Sequence, residues 1–88
     1  MRLLIVDDEE LTREGLIASL DWNALGIEQI FQADDGVNAL DIARAQKPDI
    51  ILCDIRMPRM NGIQLVERLE EFLPDTSVIF MSGYSDKE

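Results

Sequence analysis

Three short runs along the chain are almost wholly apolar: Leu3-Leu4-Ile5-Val6, Ile50-Ile51-Leu52-Cys53 and Val78-Ile79-Phe80-Met81. Each has the length of a strand. None alternates with polar residues, which is the pattern of parallel strands buried on both faces under helices. Ile27 to Ala33 is more mixed, with Glu28, Gln29 and Gln32 among Ile27, Ile30, Phe31 and Ala33, and suits an edge strand with one wetter face. Helix-length segments lie between. Glu9 to Leu20 sets Leu11, Leu16, Ile17 and Leu20 on one side. Val37 to Gln46 follows the Asp35-Gly36 turn with Val37, Leu40 and Ala43. Ile63 to Leu73 carries the clearest stripe, Leu65, Val66, Leu69, Phe72 and Leu73. Lys47-Pro48-Asp49 and Leu73-Pro74-Asp75 end a helix before the next strand, because proline disfavours helical geometry in the residue ahead of it. The order β-α-β-α-β-α-β predicts an open parallel sheet with right-handed crossovers and helices on both faces.

The last apolar run is as hydrophobic as a central strand, yet only residues 82–88 follow it. A strand of that kind needs a neighbour and a covering helix. Residues 1–88 therefore read as the N-terminal part of a larger α/β domain, and the uncovered fourth strand is expected to recruit a second copy of the chain.

Composition narrows the function. The 88 residues carry 18 Asp and Glu against 8 Lys and Arg, a formal charge of −10. That field repels nucleic-acid phosphates and anionic lipid surfaces and favours divalent cations. The single cysteine excludes an internal disulfide and a cysteine-based zinc cluster, and the absence of histidine removes histidine-dependent triads. Cys53 reads as a small core residue and Trp22 as packing for the loop between the first helix and the second strand. No signal peptide or membrane span is expected, and the location is expected to be cytoplasmic.

In an open α/β sheet, ligands bind beyond the carboxyl ends of the strands. Asp7 and Asp8 follow the first strand, Asp54 the third, and Ser82 and Gly83 the fourth. If those ends adjoin, three carboxylates and a hydroxyl converge. Like charges so close repel by several kcal/mol at an effective dielectric of about 20. A hard, oxygen-seeking cation of Mg²⁺ size relieves that repulsion. A carboxylate beside such a cation can act as a nucleophile on phosphorus. The plainer alternative leaves Asp7 and Asp8 as caps of the first helix and Asp54 as a turn residue. Asn61-Gly62 is expected to use positive φ to turn into the third helix, behind a loop stiffened by Pro58.

Ile5-Val6-Asp7-Asp8-Glu9, the segment from Asp54 through Arg56-Met57-Pro58 to Asn61-Gly62, and Met81-Ser82-Gly83-Tyr84 resemble the receiver domain of two-component response regulators, of which CheY is the single-domain example. The resemblance covers the whole chain. It implies a flavodoxin-like sheet of order 2-1-3-4, with the fifth strand and last helices missing. It further implies that Asp54 accepts a phosphoryl group from the phosphohistidine of a sensor histidine kinase. Asp8 and Asp54 would then hold Mg²⁺ directly and Asp7 through water, with the backbone carbonyl of Arg56 as a further ligand. Ser82 matches the hydroxyl that turns toward the phosphoryl group. Arg56 and Tyr84 match positions that tune the lifetime of the aspartyl phosphate. The loop from Asp21 to Ile27, around Trp22, resembles receivers fused to AraC-type DNA-binding domains. A lysine that the family places at the end of a fifth strand has no counterpart, since Lys87 lies too close to Ser82.

The resemblance implies a switch that catalyses only its own phosphorylation and dephosphorylation. A second reading is an interaction module whose acidic pocket is vestigial and whose fold serves dimerisation. A third, a Mg²⁺-dependent phosphatase, is disfavoured because such enzymes place an acid where Arg56 stands.

Overall fold

The computed structural model describes residues 1–55, 60–71 and 73–81. Four strands, β1 (Arg2–Val6), β2 (Gln29–Ala33), β3 (Ile50–Asp54) and β4 (Ser77–Met81), alternate with α1 (Glu10–Ser19), α2 (Gly36–Gln46) and α3 (Gly62–Leu69). All the pairings are parallel, and the sheet runs in the order β2-β1-β3-β4. The expected architecture is thus present, helices on both faces included.

Alternation along each strand divides the core in two. Leu4 and Val6 of β1 join Ile51 and Cys53 of β3 under Ala39, Leu40 and Ala43 of α2 and Leu65 and Leu69 of α3. Leu3 and Ile5 face the other way, with Ile27 buried beside them and Leu16, Ile17 and Trp22 packed on top. This second layer is thin. No residue of α1 is fully buried.

Several expectations need correction. Leu11, expected on the inner side of α1, is 83% exposed. At 100° per residue it lies about 140° around the helix from Leu16, on the solvent side. Leu20 is also exposed, because α1 ends at Ser19 before the residue can return to the sheet. Ile27 precedes β2 and is a core plug rather than a strand residue, its amide bonded to the Trp22 carbonyl at 2.9 Å. In β4, Val78 and Phe80 pack on the α2–α3 layer while Ile79 is 52% exposed, in keeping with the uncovered fourth strand expected from the sequence. Trp22 does secure its loop: its indole N–H donates to the carbonyls of Leu16 and Ile17 at 3.2 and 3.1 Å. Lys47 ends α2 in the left-handed region, at φ 49°, with its amide bonded to the Ala43 carbonyl.

Asn61 and Gly62 work differently from the expected positive-φ turn. Asn61 is the N-cap of α3 in extended geometry; its Oδ1 accepts from the Gln64 amide at 2.9 Å, and Gln64 Oε1 accepts from the Asn61 amide at 3.1 Å. Gly62 is required for space, since a Cβ there would sit 2.6 Å from Phe80 Cε1 and 3.2 Å from the Asp54 carbonyl oxygen. Met57, Pro58 and Phe72 lie outside the described residues.

Candidate metal and phosphoacceptor site

The site follows from strand register. Val6 of β1 pairs with Cys53 of β3, so the next residues along, Asp7 and Asp54, emerge side by side at the carboxyl edge of the two central strands. Asp54 is the last residue of β3, and Asp8 continues the loop from β1. Asp7, Asp8 and Asp54 each bring a carboxylate oxygen to within 4.8 Å of the other two. The two loops expected to meet do so.

Capping does not account for the acidic pair. The N-cap of α1 is Glu9, whose side chain makes no capping hydrogen bond. Asp7 Oδ1 instead accepts from the Glu9 amide at 2.9 Å, a local turn that holds this carboxylate at the end of β1. Asp7 is only 5% exposed, Asp54 half-buried and Asp8 exposed. Burial is the largest influence on Asp7 and raises its pKa; the Glu9 amide opposes this, while the charges of Asp54 and then Asp8 raise it further. A buried carboxylate crowded by two others is a poor resting arrangement for the bare protein and a fitting one for a cation. The donor set is all oxygen and anionic, the chemistry of a hard divalent ion such as Mg²⁺.

Two neighbours frame the acids. Cys53 points away from them into the α2–α3 layer, as the alternation requires, and its Sγ–H donates to the Asp54 carbonyl at 3.2 Å. Burial, then the charges of Asp54 and Asp7, push its thiol up to about 12, which suits a core residue and not a nucleophile. Arg13, which the sequence pattern did not single out, reaches back from α1. Its Nη1 donates to the Asp7 carbonyl at 2.6 Å and its Nε to Gln32 Oε1 of β2 at 2.9 Å. No pattern in the sequence marks it. The other predicted site residues, Arg56, Ser82 and Tyr84, lie outside the described residues.

Fold and acidic edge together define a flavodoxin-like α/β domain with a carboxylate cluster at the carboxyl ends of its central strands. Comparison with known proteins makes the class specific. Residues 3–88 match the model of the response regulator receiver domain, and the chain belongs to that family. It is 39% identical over 87 residues to the transcriptional regulatory protein HptR of Staphylococcus aureus, covering 99% of this chain and 34% of the relative. An uncharacterized response regulatory protein of Staphylococcus epidermidis is 37% identical over the same length and coverage. The chain thus spans about a third of the length of these curated relatives. Among solved structures, a two component transcriptional regulator AraC from Clostridium phytofermentans superposes with a TM-score of 0.91 at 60% identity, covering 98% of this chain and 67% of that one. The REC domain of AraT, a response regulator from Geobacillus stearothermophilus, superposes with a TM-score of 0.89 at 38% identity, covering 97% and 66%. Among the described residues, no helix is long and apolar enough to cross a membrane.

Proposed function

We propose that this chain is the phosphoacceptor part of a two-component phosphorelay, taking a phosphoryl group from a histidine kinase's phosphohistidine onto Asp54 in the presence of Mg²⁺. The observation that supports it is the meeting of Asp7, Asp8 and Asp54, from two separate loops, with ligand oxygens within 4.8 Å of one another.

Asp7, Asp8 and Asp54, with the backbone carbonyl of Arg56, would hold Mg²⁺. Once bound, the ion supplies positive charge that screens the carboxylates from the incoming phosphoryl oxygens and offsets the charge spreading over them in the transition state. Asp54 is the nucleophile. A carboxylate oxygen forms the new O–P bond as the P–N bond to the kinase imidazole breaks, and the electron pair leaves with the imidazole nitrogen, which takes up a proton. The Ser82 hydroxyl donates a hydrogen bond to the transferred group. Arg56 and Tyr84 tune how long the aspartyl phosphate survives before water returns Asp54 to its free form. No other substrate is turned over.

Because residues 1–88 cover about two thirds of the solved chains and about a third of the curated relatives, we read them as the N-terminal part of the receiver of a protein with a fused output. The names of the relatives, transcriptional regulators with AraC-type members among them, support a DNA-binding output, while the charge of −10 suits a segment that does not itself touch DNA. This reading places the protein in the cytoplasm beside its kinase. A second reading, self-association through β4, draws on the exposure of Ile79 and the position of β4 at the end of the described sheet.

Intact mass after incubation with Mg²⁺ and acetyl phosphate tests the first reading. A phosphate adduct is expected on the protein, and none on Asp54→Asn. If the full-length protein takes up no phosphate, or if the Asp54→Asn protein takes up as much, the phosphoacceptor reading fails. Light scattering that finds a monomer at high concentration removes the second reading.

A further inference from the structure

The acidic loop has an anchor that the proposed chemistry does not use. Asp7 lies one residue beyond the last registered pair of β1. Its amide still donates to the Ala33 carbonyl of β2 at 3.1 Å. Its carbonyl belongs to the peptide that joins Asp7 to Asp8, so a bond to it holds the backbone that links the two carboxylate-bearing residues, while Asp7 Oδ1 is held separately by the Glu9 amide. Arg13 Nη1 donates to this carbonyl at 2.6 Å, while its Nε donates to Gln32 Oε1. The Arg13 amide is in turn bonded to the Glu9 carbonyl at 3.2 Å, which closes a ring through α1, the loop and β2.

We propose that Arg13 is a positioning residue for the cation site, holding the Asp7–Asp8 peptide in the orientation that directs both carboxylates toward Asp54. This rests on the Mg²⁺ reading above. The guanidinium suits the task because its planar fork grips two acceptors at fixed angles, which an ammonium cannot do. It bonds the Asp7 carbonyl and not the Asp7 carboxylate, so it orients the ligand without neutralising it.

The sign of the effect separates positioning from charge. Arg13 is a cation near a cation site. Through Coulomb forces alone, removing it would strengthen Mg²⁺ binding. Through positioning, removing it weakens binding, by about tenfold, as loss of an outer-sphere support typically does. Calorimetric titration with Mg²⁺ of wild type, Arg13→Met, Arg13→Lys, Gln32→Ala and Asp8→Ala decides. Arg13→Met keeps the aliphatic stem and is expected to lose about tenfold in affinity. Arg13→Lys keeps the charge but one contact at most, and is expected to fall between Arg13→Met and wild type. Gln32→Ala, which leaves every charge in place, is expected to weaken binding in the same direction. Amide hydrogen exchange at Asp8 and Glu9 in the metal-free proteins is expected to quicken in Arg13→Met, a readout that needs no metal. Unchanged or tighter Mg²⁺ binding by Arg13→Met, with Asp8→Ala binding lost, overturns the positioning role alone. Absence of Mg²⁺ binding by wild type overturns the metal reading beneath it. Circular dichroism of each variant establishes that it is folded, and a variant that is not is replaced by Gln32→Ala as the deciding protein.

Discussion

Replacing Asp7 with Asn should make the metal-free protein more stable and less able to use Mg²⁺. Asn retains the Oδ1 acceptor for the Glu9 amide, so the local turn survives. What disappears is a buried negative charge with Asp8 and Asp54 close by. At the 4.8 Å limit of their separation, a like-charge pair costs about 3.5 kcal/mol at an effective dielectric of 20 and about 0.9 kcal/mol in bulk water. Asp8 is exposed and Asp54 half-buried, so solvent screens both pairs and the lower part of that range applies. A gain of about 1–2 kcal/mol follows, which for a domain of this size raises Tm by about 5–15 °C. The comparison is of thermal melts in EDTA at neutral pH. Added Mg²⁺ should then raise the wild-type Tm by mass action and move that of Asp7→Asn much less. The pH dependence supplies a further check. The folded-state pKa of Asp7 is raised above its ordinary 3.8, so the folded chain binds this proton more tightly than the unfolded chain does. The contribution of Asp7 to stability is therefore fully present below 3.8 and is lost as pH climbs from there through the folded-state value. The advantage of Asp7→Asn should accordingly be small in acid and grow over that interval. An Asp7→Asn protein that melts no higher than wild type in EDTA would refute the claim that these carboxylates oppose one another in the resting fold.

Two further substitutions probe the frame around the site. Gly36→Ala, which in most helices stabilises by up to about 1 kcal/mol, should here cost about 1–3 kcal/mol in urea unfolding. The new methyl would run into the Met60 carbonyl oxygen and lie 2.6 Å from Met60 Cβ. Asn61→Ala removes the reciprocal cap of α3 and should lower the urea midpoint by the equivalent of about 1 kcal/mol, with the slope unchanged.

The parts of this molecule that could be read from the chain are those in which a residue's type and its neighbours decide its place. Leu3 to Val6 is apolar at every position because helices lie on both sides, and that needs no tertiary knowledge. The acidic cluster was legible for a related reason: in a parallel sheet the residues that follow adjacent strands must share one edge. Leu11 misled because it belongs to a helix with a single thin contact stripe, where one apolar residue on the solvent side carries no signal of its own. Gly62 misled because Asn-Gly serves both as a turn and as a cap beside a crowded ring, and only Phe80, brought in from a distant strand, selects the second. Arg13 was invisible since its partners are a backbone carbonyl and a glutamine 19 residues away, neither of which marks the sequence.

The unequal thickness of the two layers has a dynamic consequence. The α2–α3 side is sealed by Ala39, Leu40, Ala43, Leu65 and Leu69, whereas α1 rests on the sheet through Leu16, Ile17 and the lid of Trp22. Native-state fluctuations start where apolar contact is sparsest. The turn bearing Asp7 and Asp8 leads straight into that helix, so an opening of α1 from the sheet would be passed directly to the acids. A counter-ion captured by them would steady the described residues where their apolar contact is sparsest, so that occupancy at one edge would be felt along the α1 flank.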